Sequence, residues 1–163
     1  MNTRISDIAK VVYASPGLVA GATTGGDCDY VSLRGYAGAT IVIMVDNATT
    51  VTGGAVTLKQ ATAVAGTSEK ALAFASYLAN TDVGASDTLT ETTATSNTFT
   101  TDTTDAKNQL FVIEVDAASL DVANGFDCIR VDVASMANAV EGVLYILHGA
   151  RYASPIAQAA ITD

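Results

Sequence analysis

Tryptophan is missing from this chain, and aromatic residues of all kinds make up only 6% of it. A sugar-binding sandwich relies on exposed aromatic platforms, so carbohydrate recognition for host attachment stays only as an alternative. Histidine occurs once, at His148. It follows the apolar run Leu144-Tyr145-Ile146-Leu147 with no catalytic partner in view, and it is expected to be dispensable. Cysteine occurs twice, at Cys28 and Cys128. Two isolated thiols and one imidazole lack the clustering that zinc needs. A Cys28–Cys128 bridge would close a loop of about 100 residues and stabilise by ~4–5 kcal/mol in the chain-entropy model. Synthesis in a cytoplasm argues against it, and two buried free thiols are expected.

Charge is also scarce, at 15% of residues. The eight Lys and Arg residues are scattered and the net charge is −9. Nucleic acid demands a basic patch, so no direct nucleic-acid partner is expected. No stretch approaches the ~20 apolar residues of a membrane helix. The opening MNTRISDIAKVVYASPG contains no signal-peptide core. Cytoplasmic synthesis without a membrane partner is the expectation.

Catalytic patterns are missing too. No Ser sits in a nucleophile elbow, and neither Cys has the context of an activated thiolate. The run Gly21-Ala22-Thr23-Thr24-Gly25-Gly26 has no Lys and opens no helix, so it is not a phosphate loop. Asp27 and Asp29, with Asp46 or Asp116, offer a Ca²⁺ alternative. The favoured reading is that Asp27, Asp46, Asp116 and Asp127 flank strand ends, where Asp suits turns. Catalytic residues, cofactors and metals are therefore set at none.

What the chain does hold is strand-forming sequence. Ala39 to Val45 (ATIVIMV) is a β-branched apolar run and reads as a strand buried on both faces. Val56 to Gln60 alternates apolar and polar, as a half-buried strand does. Further strands are expected over Cys28–Arg34, Asn108–Asp116, Phe126–Val133 and Gly142–Arg151. The segment 87–104 contains ten Thr in eighteen residues. Thr favours strands, so two are expected, over 88–93 and 97–101, turning at Ser96-Asn97. Lys70–Phe74 is a short apolar segment, and Ala75–Ala79 reads as a turn of helix. About eight short strands with frequent turns predict an all-β antiparallel sandwich, of jelly-roll or related Greek-key type. At 163 residues the chain is one domain able to bury its own core.

The ends differ from the middle. Residues 2–12 fit a short helix with Ile5, Ile8, Ala9 and Val12 on one face. The division expected is an arm over 1–26, a sandwich over 27–151 and a small-residue tail over 152–163. The arm carries a net +1 and the remainder −10. A mildly basic, partly apolar arm suits contact with a neighbouring subunit or another protein; the alternative is that it folds back onto its own sandwich as an edge strand or covering helix. Arg4, Ile5, Ile8, Lys10 and Val12 are the candidate partner-binding residues. Many small apolar residues with few charges also predict a homo-oligomer.

Ala55-Val56-Thr57-Leu58-Lys59-Gln60-Ala61-Thr62, then Ala65-Gly66-Thr67, Lys70-Ala71-Leu72-Ala73-Phe74 and the Thr-rich hairpin form a recognisable series. With Gly125-Phe126-Asp127-Cys128-Ile129-Arg130-Val131, it resembles small virion proteins of tailed bacteriophages over residues 28–151. The motifs are packing and turn residues. The resemblance implies a non-enzymatic capsid decoration (cement) protein, a β-rich trimer on the capsid surface with the major capsid protein as partner. A tail or head-fibre base component is the alternative.

Overall fold

A computed structural model describes residues 4–14, 24–47, 52–103, 107–151 and 160. One helical turn, α1 (Ile5–Ile8), leads into β1 (Ala9–Tyr13). The strands β2 (Thr24–Asp27), β3 (Val31–Ser32), β4 (Gly38–Asn47), β5 (Ala55–Ala61), β6 (Lys70–Ala71) and β7 (Ser76–Asn80) follow. Then come β8 (Thr90–Thr93), β9 (Thr98–Thr100), β10 (Gln109–Asp116), β11 (Cys128–Met136) and β12 (Ala139–His148). Among the described residues no helix is long and apolar enough to cross a membrane.

The strands form two antiparallel sheets, which bears out the expected all-β sandwich. The first runs β1-β12-β4-β10-β7-β8; the second runs β2-β11-β5-β6, with β3 on β11 and β9 on β5. The strongest apolar runs take the centre of the first sheet: β4 pairs with β12 over ten residues and with β10 over eight. Side chains alternate along a strand. Ile41, Ile43, Phe111, Ile113, Val143, Tyr145 and Leu147 therefore face inward, where they meet Val56, Leu58, Ile129, Val131 and Val133 of the second sheet. The Val131 amide donates to the Tyr145 hydroxyl at 3.0 Å, a buried bond between the layers. An aromatic group closes one end, with Tyr77 stacked on Phe99 at 3.9 Å and Phe99 at 5.1 Å from Phe111. Gly38 starts β4 where a Cβ would lie 2.4 Å from the Val115 carbonyl oxygen.

Several expectations need correction. The helix over 2–12 is only α1. Residues 9–13 form a strand because Val11-Val12-Tyr13 is β-branched and aromatic, and because five ladder pairs with β12 outweigh a helix too short to persist. Cys28–Arg34 is not one strand. β2 ends at Asp27 and β3 begins at Val31; between them the Asp29 amide donates to the Ala14 carbonyl at 3.0 Å. Ala75–Ala79 is not a helical turn. Most of it is β7, held by Leu78 opposite Val112 on one side and Glu91 on the other. The Thr-rich pair is not a hairpin within one sheet. β8 joins the first sheet and β9 the second, so the Thr95–Thr98 bridge, with Ser96 at φ 60°, turns a corner between layers.

β1 falls inside the expected arm and β2 straddles its boundary at residue 26, and both belong to the sheets. Of the tail over 152–163, only Ala160 lies within the described residues. It is buried and its carbonyl accepts from the Ser32 amide at 2.9 Å.

Candidate functional site

The two sheets present opposite chemistry on their outer faces. On the second sheet, Lys59 and Arg130 stand opposite each other on β5 and β11. Lys59 Nζ lies 2.6 Å from Glu69 and 2.7 Å from Asp132. Arg130 lies 2.8 Å from Glu69, 2.7 Å from Asp132 and 3.4 Å from Asp27. The Arg130 Nε–Asp132 Oδ1 contact is an ion pair off the line of a hydrogen bond. The Tyr30 hydroxyl donates to Glu69 at 2.7 Å, and the Tyr30 ring sits 4.7 Å from the guanidinium. Hydrogen bonds from Lys59 and Tyr30 hold the Glu69 carboxyl below its ordinary value. Burial raises that of Asp132, offset only in part by Lys59 and Arg130. Every charge here has an opposite within reach, as suits a face turned to water.

The outer face of the first sheet is apolar at its centre, with the carboxylates of Asp46, Glu114, Asp116 and Glu91 around it. Strand parity places Val42 and Met44 of β4 outward beside Leu144 and Ile146 of β12, with Leu110 and Val112 of β10 on the other flank. At the edge, β1 adds Val11 and Tyr13, 50% and 49% exposed. β4 is thus buried on its inner face only: Met44 is 42% exposed, which corrects the expectation of a strand covered on both sides. Two depressions mark this face. One, of about 460 Å³, is lined by Met44, Val83, Leu110 and Val140. The other, of about 610 Å³, has Leu78 and Val112 with Glu91, Glu114 and Asp116. Soluble proteins rarely expose so continuous an apolar surface unless something binds it.

The five candidate partner-binding residues separate. Arg4, Ile5 and Ile8 are exposed, the two isoleucines at 58% and 56%. The Arg4 amide donates to Asp7 at 3.0 Å. Lys10 and Val12 lie on the core side of β1, and Val12 packs against the core. Reading 2–12 as a helix grouped Val12 with Ile5 and Ile8; strand alternation puts Val11 and Tyr13 outward instead. The signal that would have found the face is the apolar character of both alternating sets in 142–147.

His148 ends β12, half-buried, its ring packed close to Gly38, where a Cβ would lie 3.1 Å from its Cε1. Cys28 and Cys128 are buried and unbridged, and burial pushes both thiols up to about 12. That leaves them unreactive near neutrality. The Ca²⁺ alternative is not assembled: Asp27 belongs to the second sheet beside Arg130, while Asp46 and Asp116 belong to the first.

No protein-family model and no curated protein matches the chain. Among solved structures, the crystal structure of the SPBc2 prophage-derived protein YomS aligns with 90% of this chain and 99% of its own, at 11% identity and a TM-score of 0.43. A likeness of that degree carries no argument about this chain's fold or function.

Proposed function

We propose that this chain is a non-enzymatic structural protein of a tailed-bacteriophage virion. It binds the assembled capsid lattice through the outer face of the first sheet and reinforces it as a decoration (cement) protein. The observation that carries this reading is the contrast between the two outer faces. One is a network of paired charges and the other has an open apolar centre flanked by carboxylates. Burying one Val, Leu, Ile or Met side chain contributes ~1.5–3 kcal/mol, so a few of them suffice to anchor a lattice contact. The sequence resemblance over residues 28–151 supplies the capsid as the partner, with the major capsid protein opposite this face. The protein acts as a homo-oligomer, a trimer, on the virion surface after synthesis in the host cytoplasm.

Electron microscopy of the native particle tests the reading. The sandwich should appear on the capsid exterior with Val42, Met44 and Leu110 turned toward the lattice. Density in the tail or at a head-fibre base would replace the decoration reading with that alternative. Absence from the particle would remove both.

A further inference from the structure

The larger depression on the first sheet has a specific chemistry. Its volume, about 610 Å³, lies in the ~300–1,000 Å³ range of ligand clefts. Leu78 and Val112 supply apolar floor; Glu91, Glu114 and Asp116 stand around it, and no Lys, Arg or His lines it. Each carboxylate has one hydrogen-bonded neighbour: Ser76 donates to Glu91 at 2.6 Å, Thr40 to Glu114 at 2.9 Å and the Ala118 amide to Asp116 at 2.8 Å. These neutral donors leave three negative charges uncompensated beside an apolar floor. The fitting occupant is a short segment with a cation next to apolar side chains.

The chain carries such a segment at the opposite end of the same sheet. Arg4 is exposed, and Ile5 and Ile8 are 58% and 56% exposed, uncovered by the described residues of their own sandwich. We infer that the segment Arg4–Ile8 of a second copy seats in this groove, with Arg4 against the carboxylates and the isoleucines on Leu78 and Val112.

A copy cannot fill its own groove. β1 stands four strand positions from β7, a distance of ~19 Å at ~4.8 Å per strand. The helical turn α1 spans only ~6 Å and runs directly into Ala9, which is fixed opposite His148. Donor and acceptor at opposite ends of one sheet make a head-to-tail contact, which forms a ring where the rotation between copies closes and a filament where it does not; the trimer proposed above is the closed form. The inference gives the proposed oligomer its interface and does not depend on the capsid.

The test therefore uses purified protein alone. Native mass spectrometry and sedimentation velocity are run on the wild type, Arg4→Glu, Glu91→Lys and the double variant carrying both. The wild type should appear as a closed multiple of the 16.6 kDa chain. Each single variant should dissociate about tenfold more readily, as reversing one close charge pair at an interface does. The double variant, in which the charges again oppose, should recover. A synthetic peptide of residues 1–10 in excess should dissociate the wild-type oligomer, a readout that no folding defect affects. A monomeric wild type, single variants that associate normally, a double variant no better than the singles, or a peptide without effect would each overturn the inference. Capsid binding by a monomer would do so, and would remove the proposed trimer while leaving the proposed capsid binding standing.

Discussion

Arg130 is 14% exposed in its side chain and reaches three carboxylates. Removing it leaves Lys59 as the one cation beside Asp132 and Glu69 among the described residues. Arg130→Met should cost about 1 kcal/mol, the upper end for a solvent-facing ion pair, as measured by urea unfolding. Acid acts on the same network through Glu69. Its folded pKa is depressed by Lys59 and Tyr30, so its contribution is complete above the unfolded value near ~4.3 and is lost as pH falls through the folded value. Asp132 has the opposite sign: burial raises its pKa, so the cost of its charge disappears on acidification. The decline of stability below about pH 4.3 should therefore be shallower in Glu69→Gln, and an unchanged slope would contradict the assignment. The alternation of Arg130 and Asp132 with Ile129, Val131 and Val133 is legible in the sequence as one polar and one apolar strand face, although Cys128, in step with the polar set, is buried. Glu69 is not legible there, because it arrives from a loop sixty-one residues away.

β4 separates folding from binding within one strand. Ile43 faces the core and is 0% exposed, while Val42 beside it is half-buried on the open face. Ile43→Ala should lose ~2–5 kcal/mol of stability. Val42→Thr, at the open face, should stay within ~0.5 kcal/mol and weaken only association; thermal melting with sedimentation distinguishes the two. The central strands β4, β10 and β12 were readable because β-branched runs bounded by Gly, Asn and Asp have few other solutions. β1 and β7 were not. Ile5, Ile8, Ala9 and Val12 fit a helical period, and Ser76-Tyr77-Leu78-Ala79-Asn80 has no strong local preference. Pairing with β12 and the stacking of Tyr77 on Phe99 decide those segments. Such long-range contacts override propensity. The candidate face was legible only as an excess of apolar residues in 39–45 and 142–147. Which side chains share it depends on register, and register is a property of the paired sheet.

At the scale of the molecule, the account predicts a particle component with a wet second sheet and a covered first sheet. Two methionines report on this directly. Met44 stands on the apolar outer face at 42% exposure, and Met136 is fully buried in the core. Oxidation by dilute peroxide follows access to the thioether. The deciding measurement is the peroxide oxidation rate of Met44, read by mass spectrometry in the isolated chain under dissociating dilution and again in the native particle, with Met136 as internal control. Met44 should oxidise rapidly in the isolated chain and be strongly protected in the particle, with Met136 slow in both. Equal Met44 oxidation in the two states, with Met136 still protected, would show that the apolar face stays open and would contradict the central claim.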